Sequence, residues 1–242
     1  MNLIIEQGNS SSKVAVYSDE RIVEYLQYKT LEEQTLMPLF DKYQLTQGIL
    51  STVIAVDDEL NNYLKGRLER FIFLDETTRL PIINTYKTPA TLGKDRIAAV
   101  VGANYLHPGR DILVIDAGTA ITYDFINALG VYLGGSISPG MTTRFKALNY
   151  YTSQLPLVKE TEDIPPIGFD TVSSIQSGVV NGIIYEMNSY IEDYRRKSPS
   201  LLVFLTGGHS NYFERRLKNS IFADINLVLT GLNRILEYNV EN

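Results

Sequence analysis

Two hydrophobic patterns alternate through the first half of the chain. Short apolar or alternating runs favour β-strands, whereas apolar residues three or four positions apart favour amphipathic helices. The predicted strands are residues 2–6, 13–17, 22–27, 48–55, 72–74 and 80–83. The predicted helices are residues 31–43, with Thr30 as N-cap, 57–71 and 95–106. Pro108 and Gly109 interrupt the pattern and predict a boundary after the last of these helices.

The second half follows the same order of elements. The predicted strands are residues 112–116, 121–127, 131–136, 201–205 and 226–229. The predicted helices are residues 142–148, 171–196, 212–219 and 232–238. Between them, residues 152–170 form a polar, proline-containing connector, which we expect to be a loop near a site or an interface. This order of strands and helices is typical of a ribonuclease H-like α/β layer.

One short turn occurs twice in the chain. Residues 3–10 read LIIEQGNS and residues 113–120 read LVIDAGTA, so Glu6 aligns with Asp116 and Gly8 with Gly118 at an offset of 110 positions. An internal copy of this kind predicts two similar domains. We therefore predict an α/β protein with two ribonuclease H-like domains, residues 1–108 and 109–242, that face each other across a cleft.

Each copy of the turn combines groups that suit a nucleotide phosphate and its metal ion. The glycine lets the backbone approach a ligand closely, and exposed N–H groups and a short polar side chain donate to phosphate oxygens. The carboxylate would hold Mg²⁺, which prefers carboxylates, water and substrate phosphates. The alternative is an ordinary β-hairpin with a capping acid, and the occurrence of two matching copies favours the nucleotide interpretation.

Composition narrows the range of partners. The chain has 242 residues, of which 44% are hydrophobic, and a net charge of −6. This acidic balance argues against nucleic acid as the main partner. The chain has no cysteine, which removes disulfides, zinc–thiolate sites and thiol nucleophiles and fits a cytoplasmic location. No apolar run approaches the ~18–20 residues of a membrane span, so we expect no membrane partner.

Four segments together resemble the type III pantothenate kinases of the acetate and sugar kinase/Hsp70/actin superfamily. They are Glu6-Gln7-Gly8-Asn9-Ser10, Gly93-Lys94-Asp95-Arg96, Asp116-Ala117-Gly118-Thr119-Ala120 and Gly134-Gly135-Ser136-Ile137-Ser138-Pro139-Gly140. The Gly-x-Asp-Arg segment is the most discriminating, because the whole superfold shares the acid-x-Gly turns. The resemblance implies an actin-like ATPase fold and transfer of the γ-phosphoryl group of ATP to the 4′-hydroxyl of pantothenate, the first step of coenzyme A biosynthesis.

The resemblance also implies a set of site residues. ATP would be bound by Glu6, Gly8, Asn9, Ser10, Lys13, Gly118, Thr119, Thr206, Gly207 and Gly208. Pantothenate would be bound by Tyr86, Gly93, Lys94, Asp95, Arg96 and Thr171, the last supplied by the neighbouring subunit of a homodimer. Asp116 and Glu6 would hold Mg²⁺, and a monovalent cation, K⁺ or NH₄⁺, would lie near the phosphates.

Several of these residues also have simpler interpretations. For Lys13 the residues favour a solvated lysine of an edge strand over a phosphate ligand. The glycines at 134, 135 and 140 are explained equally well by tight packing. Asp95 would be either the base that accepts the proton of the acceptor hydroxyl or the N-cap of the predicted helix. Arg96 would either pair with the pantothenate carboxylate in a bidentate fork or be a solvated residue of the first turn.

The first turn departs from the family pattern, which usually has Asp-x-Gly-Asn-Thr. This chain has Glu6 and Ser10 there, so the carboxylate is one methylene longer while the hydroxyl is kept. Positional changes of that size can cost on the order of 10²-fold in rate. One alternative is therefore a catalytically weak or inactive member that binds ligand or regulates expression. Another is a different phosphotransferase or phosphohydrolase of the superfold, which Asp95 and Arg96 argue against.

Overall fold

The fold was analysed in a computed structural model, which describes residues 1–55 and 57–241. Contacts between residues divide the chain into two compact units. Unit 1 comprises Met1–Gly109, Ile126–Leu133 and the segment that begins at Asn226, and unit 2 comprises Arg110–Phe125 and Gly134–Ile225. Compact units need not coincide with the two halves of the sequence, so the division into residues 1–108 and 109–242 stays a prediction.

Unit 1 is built around a five-stranded sheet with the order β3-β2-β1-β4-β5. The strands are β1 (Asn2–Gln7), β2 (Ser12–Ser18), β3 (Arg21–Tyr28), β4 (Gln47–Thr52) and β5 (Arg70–Phe73). The first three are antiparallel, and β4 and β5 run parallel to β1. The central strand β1 has three consecutive buried apolar residues, Leu3, Ile4 and Ile5, whereas the edge strand β3 has alternating exposure, as expected for a strand with one solvated face.

Within the part of the chain that the structure describes, unit 1 has four α-helices. They are α1 (Glu33–Lys42), α2 (Asp58–Arg67), α3 (Lys94–Leu106) and α7 (Leu227–Glu241). Leu36 of α1 and Leu60 of α2 join Leu3 and Ile5 of β1 in one buried cluster. Helices α3 and α7 pack on each other and both contact β4. A two-residue strand, β6 (Ile83–Asn84), pairs in parallel with Val131 and Tyr132.

Unit 2 contains the strand order β11-β10-β7-β8-β9. Its strands are β7 (Ile112–Ala117), β8 (Ala120–Ile126), β9 (Val131–Pro139), β10 (Leu202–Thr206) and β11 (Phe222–Ala223), of which β8 and β9 extend into the 126–133 segment of unit 1. Its helices are α4 (Met141–Tyr151), α5 (Thr171–Lys197) and α6 (Ser210–Glu214). The apolar face of α5, including Ile183 and Met187, packs in one cluster with Leu113 and Ile115 of β7.

Several predicted element boundaries are wrong. Residues 226–229 form no strand, because α7 begins at Leu227 and the strand of this region is the short β11. Helix α1 is capped by Glu32, in a capping box with Thr35, rather than by Thr30. The predicted strand 48–55 ends at Thr52, and the predicted helix 57–71 ends at Arg67 so that β5 can pair with β4.

The connector between α4 and α5 is held in place by side chains of α5. Gln176 donates to the carbonyl of Lys159 at 2.9 Å, and Ser177 donates to the carbonyl of Pro166 at 3.1 Å. Asn181 donates to the carbonyl of Pro165 at 3.2 Å. The connector therefore follows a defined path over α5. Among the described residues, no helix is long and apolar enough to cross a membrane.

Candidate active site

The first acid-x-Gly turn joins β1 to β2 in unit 1. Glu6 lies opposite Lys13 in the strand register, and the N–H of Gly8 donates to the carbonyl of Ser11 at 3.0 Å. This N–H therefore closes the turn, while Asn9 and Ser10 at its tip are exposed. The strand register thus places the carboxylate and the lysine side by side at the base of an exposed polar tip.

Glu6 and Lys13 form an ion pair at the base of this turn. The Lys13 Nζ lies 3.0 Å from Glu6 Oε2, and 19% and 14% of the two side chains are exposed. Glu6 Oε2 is buried and has no hydrogen-bond partner among the described residues, so the contact with Lys13 is an ion pair by distance. Lys13 is therefore a partner of the carboxylate rather than a solvated edge lysine.

The second acid-x-Gly turn joins β7 to β8 in unit 2. Asp116 is half-buried at the end of β7, and Thr119 is exposed at the tip. The N–H of Gly118 donates to the carbonyl of Ala120 at 3.0 Å. The assignment of this amide to phosphate needs correction for that reason, since it closes the turn as the Gly8 amide does in the first copy. The hydroxyl of Thr119 is the exposed polar group of this turn.

The Thr206-Gly207-Gly208 segment supports the second turn directly. Thr206 is paired with Asp116 in the parallel register of β10 and β7. Gly207 has φ +93°, and a Cβ there would lie 2.3 Å from Asp116 Oδ1. The N–H of His209 donates to the carbonyl of Ala117 at 3.0 Å. Thr206 is only 1% exposed, so its side chain is buried at the end of β10, and Gly208 is the exposed residue of the segment.

Helix α4 begins against the same turn. The N–H of Gly140 and the hydroxyl of Thr143 both donate to the carbonyl of Thr119, at 3.0 and 2.7 Å. A Cβ at Gly140 would lie 2.2 Å from the carbonyl oxygen of Gly118. This approach requires glycine, so the glycine-rich segment serves packing of protein against protein at Gly140.

The Gly93–Arg96 segment begins helix α3 in unit 1. Gly93 is the N-cap, so the alternative that made Asp95 the cap is wrong. Asp95 Oδ1 instead accepts the N–H of Arg96 at 2.8 Å, and the side chain is half-buried. Lys94 lies 3.8 Å from Glu76. The Asp95 carboxylate is thus fixed at the start of a helix, where the helix dipole favours negative charge.

Arg96 is buried in a group of aromatic side chains. Only 5% of the residue is exposed, so its interpretation as a solvated residue is wrong. Its guanidinium carbon lies 5.6 Å from the centroid of the Tyr86 ring, a cation–π distance. Tyr86 in turn stacks on Tyr132 with centroids 6.2 Å apart, and the Thr85 hydroxyl donates to the Tyr132 carbonyl at 2.6 Å. Unit 1 therefore brings together Tyr86, Asp95 and Arg96.

Thr171 lies in unit 2, at the first position of α5. The preceding Asp170 caps the helix by accepting the N–H of Ser173 at 2.7 Å. The backbone N–H and the hydroxyl of Ser173 both donate to this carboxylate, and together they lower the pKa of Asp170. Thr171 is exposed and lines a cavity of about 910 Å³. The other lining residues are mostly apolar and include Leu148, Tyr151, Leu155, Ile175 and Val179. The cavity lies between α4 and the first turns of α5.

The acidic side chains of the described residues are dispersed rather than gathered in one cluster. No group of three or more His, Cys, Asp or Glu side chains gathers at one place in the part that the structure describes. Mg²⁺ is usually bound through one or two carboxylates together with water and substrate phosphates. In unit 2 the half-buried Asp116 is a carboxylate of this kind, and in unit 1 Glu6 is another.

Comparison with known proteins identifies the family. A sequence model of the type III pantothenate kinases matches residues 2–193. A relative named type III pantothenate kinase from Phocaeicola vulgatus is 49% identical over 99% of this chain and 99% of its own length. This chain belongs to the type III pantothenate kinases. The family resemblance seen in the four sequence motifs is thereby confirmed.

Solved structures agree on the fold of this family member. A candidate Baf family transcriptional activator from Campylobacter jejuni superposes with a TM-score of 0.63, at 24% identity over 99% of this chain and 100% of that protein. A candidate N-acetylmannosamine kinase from Listeria monocytogenes gives 0.58, at 12% identity over 98% and 99%. The prediction of an actin-like α/β fold is confirmed.

Sequence reasoning missed several residues that support the candidate site of this kinase family member. Tyr132, which stacks on Tyr86, is fully buried in β9, and its apolar alternation in the VYLGG run was the available signal. Thr143 and His209 support the second turn through Thr119 and Ala117. Neither contact had a local sequence signal, because each joins segments more than twenty residues apart.

Proposed function

We propose that this chain phosphorylates the 4′-hydroxyl of pantothenate with ATP, the first step of coenzyme A biosynthesis. Membership of the type III pantothenate kinases supports the reaction. The observation that carries the assignment of residues is the arrangement of Asp95 beside buried Arg96 under Tyr86. This arrangement offers a carboxylate, a guanidinium and an aromatic face in one place.

Asp95 is proposed as the catalytic base. A primary alcohol is a poor nucleophile at neutral pH, and a carboxylate within hydrogen-bond reach orients it and accepts its proton. Asp95 is held at the start of α3 by its bond from the Arg96 N–H, which leaves its second oxygen for the acceptor hydroxyl. Gly93, the N-cap of α3, has no side chain and so leaves room for pantothenate there. Lys94 adds a positive charge to the same segment.

Arg96 is proposed to pair with the pantothenate carboxylate. A buried guanidinium attracts an anion strongly and can present two parallel N–H donors to a carboxylate. Tyr86 and Tyr132 limit the orientations of that guanidinium through the cation–π contact and the ring stack. The same aromatic face provides an apolar wall for the carbon skeleton of pantothenate.

The two turns are proposed to bind ATP and Mg²⁺. Asn9, Ser10 and Thr119 are the exposed donors for phosphate, Lys13 supplies positive charge, and the ribose or adenine side is assigned to Gly207 and Gly208. Thr206 is a supporting residue because it is buried. Asp116 and Glu6 would hold Mg²⁺, and a monovalent cation, K⁺ or NH₄⁺, would lie near the phosphates. Bound cations would neutralise oxyanion charge that grows during transfer.

A homodimer is part of the proposal. Tyr151, which lines the cavity near Thr171, is 82% exposed. Its neighbour Tyr150 is 80% exposed, and Ile167 and Phe169, which precede Thr171 in the chain, are 81% and 83% exposed. An apolar surface of this kind marks an interaction site. A second copy that covers it would bring Thr171 to the pantothenate pocket of its partner. We place the enzyme in the cytoplasm, a location that its cysteine-free sequence fits.

The first test is release of ADP by the purified protein with ATP, Mg²⁺ and K⁺, in the presence and absence of pantothenate. We expect ADP release that depends on pantothenate. Asp95→Asn should lower turnover roughly 10²–10⁴-fold while the protein folds normally, since the amide cannot accept the proton. Asp41→Asn, an exposed acid on α1, is the matched control and should leave turnover unchanged. Near-normal activity of Asp95→Asn would exclude this residue as the base.

The dimer proposal has its own test. Asp95→Asn and Thr171→Val proteins, each weakly active, should regain activity when mixed and allowed to exchange subunits. Mixed dimers would contain one pocket with neither substitution, provided that the two residues come from different subunits. A monomer by light scattering, or a mixture that stays as inactive as its components, would contradict the shared pocket.

The alternative of a catalytically weak or inactive member depends on Glu6. If the longer acid impairs the turn, Glu6→Asp should raise turnover. If the turn has adapted to Glu6 through its ion pair with Lys13, Glu6→Asp should lower turnover, because the shorter side chain loses the 3.0 Å contact. The structure favours adaptation, since the ion pair is already formed. Pantothenate binding without any ADP release would favour the inactive alternative.

A further inference from the structure

The region behind the second turn contains a charged network that has no role in the proposed chemistry. Arg144 of α4 donates to Glu186 of α5 at 2.5 Å, and Tyr123 of β8 donates to the other oxygen of Glu186 at 2.9 Å. The Arg144 and Glu186 side chains are 21% and 24% exposed. The Tyr123 ring, fully buried, stacks on Tyr190 at 4.0 Å. Three elements of unit 2 are thus joined at one carboxylate.

Arg144 also donates hydrogen bonds to the last two residues of β9. Its Nε donates to the carbonyl of Pro139, and an Nη2 hydrogen bond reaches the hydroxyl of Ser138, both at 2.8 Å. The next residue along the chain is Gly140, whose N–H donates to the carbonyl of Thr119. A side chain outside the turn therefore fixes the segment that the turn rests on.

We propose that the Arg144–Glu186 ion pair positions the second phosphate turn and thereby sets its affinity for nucleotide. The inference rests on the proposed function only in that this turn binds nucleotide phosphate. The contacts run from Glu186 to Arg144, from Arg144 to Ser138 and Pro139, and through Gly140 to Thr119. Arg144 and Glu186 are positioning residues, since each acts on Thr119 through others.

The chemistry of the pair suits a fixed support. The planar guanidinium presents several N–H donors in a rigid fork, so one side chain can bind Glu186, Ser138 and Pro139 together, which a lysine cannot reproduce. Burial by itself would raise the pKa of Glu186, but hydrogen bonds from Arg144, Tyr123 and Ser138 outweigh it and hold the pKa below its usual range. The carboxylate therefore stays charged, and the pair stays formed, at neutral pH.

A simpler interpretation is that the pair only joins α4 to α5. Such a role would lower thermal stability when either partner is removed and would leave nucleotide affinity of the folded protein unchanged. The positioning role makes the opposite prediction for affinity. The path through Gly140 supports positioning, because a shift of that N–H would also move the Thr119 carbonyl that it holds together with Thr143.

The test measures the Kd of a fluorescent ATP analogue with Mg²⁺ and without pantothenate, beside the melting temperature of each variant. Arg144→Met and Glu186→Gln should each weaken the Kd roughly tenfold, since small errors of position are costly in such sites. The double variant should be no weaker than the worse single variant, because both substitutions break one path. Arg144→Lys should give an intermediate Kd, as it keeps the charge and loses the fork.

Arg196→Met is the matched control. Arg196 forms an exposed ion pair with Asp193 on the same helix α5, so its loss removes an ion pair away from the turn. We expect its Kd to equal that of the wild type. A lower melting temperature with a wild-type Kd in Arg144→Met, Glu186→Gln and Arg144→Lys would overturn the inference. Because the Kd is measured without the acceptor, a wild type that binds nucleotide but does not phosphorylate pantothenate refutes the proposed function alone.

Discussion

The two acid-x-Gly turns have closely related sequences and different surroundings. The turn of unit 1 is a short hairpin whose carboxylate, Glu6, is matched by Lys13 on the next strand. The turn of unit 2 is held by segments distant in sequence, with His209 bonded to Ala117 and Gly140 and Thr143 bonded to Thr119. Two turns with related sequences therefore need not be held equally firmly by their surroundings. We interpret the second turn as the more rigidly held of the two and the first as a turn that depends on one ion pair.

The largest difference is expected from glycine substitutions. Gly207→Ala should lower ADP release at least about 10²-fold, because the new Cβ would lie 2.3 Å from Asp116 Oδ1 at a φ of +93° that alanine adopts only under strain. Gly8→Ala should be mild, since its Cβ would meet only the Ser11 carbonyl, at 3.3 Å. Initial rates at saturating substrates measure both.

The matched control for this comparison is Gly66→Ala, at an exposed position on helix α2 where a Cβ has open space. It should keep its activity and gain slight stability from the better helix propensity of alanine. If Gly8→Ala proved as damaging as Gly207→Ala, the two turns would be equally rigid and the contrast between them would be wrong.

A smaller difference is expected from the two carboxylates. Asp116→Asn should lower turnover by about 10²-fold, as expected for loss of one electrostatic contact in a reaction centre. Glu6→Gln should cost only about tenfold, because Lys13 already neutralises part of the charge of Glu6 in the free protein. Turnover over a range of Mg²⁺ concentrations is the measurement, and a larger loss in Glu6→Gln would reverse the assignment of the main metal ligand.

The smallest effects concern the pH dependence of stability in unit 2. The pKa of Glu186 is lowered, so its contribution to stability is present above the pKa of an unfolded glutamate and is lost as the pH falls through the lowered value. Glu186→Gln should therefore reduce the melting temperature by about 2–4 °C near pH 7, the shift expected for roughly 1 kcal/mol in a chain of this size. The difference from wild type should vanish in acid.

Unit 1 offers the opposite case in Glu237. Burial raises the pKa of this carboxyl, in spite of its hydrogen bond from Asn233 at 2.9 Å and its contact with Arg234 at 3.6 Å. Its contribution is full below the pKa of an unfolded glutamate and is lost as the pH rises through the raised value. Glu237→Gln should thus raise the melting temperature slightly near pH 7 and not in acid. A decrease near pH 7 would show that the contact with Arg234 outweighs burial.

Sequence reasoning found the parts of the site that are local. The apolar runs that lead into Glu6 and Asp116 predicted both turns, since each run and its turn lie within ten residues. The order of the motifs along the chain predicted the fold. The burial of Arg96 could not be predicted, because it depends on Tyr86 and on the stack of Tyr86 with Tyr132. The strand predicted at 226–229 was wrong because the same apolar residues also fit the helical spacing of α7.

Support for the second turn was equally hidden from the sequence. Thr206 reads as a nucleotide-binding residue in a strand-Thr-Gly-Gly pattern, yet its pairing with Asp116 buries it. Tight packing was one interpretation of Gly140, but the sequence did not show that the group it packs against is the carbonyl of Gly118. In each case a partner more than twenty positions away decides the role, and a local pattern contains no information on that partner.

The connector over α5 has a consequence for how this protein can change in evolution. Gln176, Ser177 and Asn181 hold it by backbone carbonyls, and Tyr212 donates to a further one, that of Thr161, at 2.7 Å. Every amino acid has such a carbonyl, so substitutions at exposed positions of the connector leave these bonds intact. The connector can therefore change its surface residues without changing its course, except where Val158 is buried and where a Cβ at Gly168 would lie 2.3 Å from Ser174.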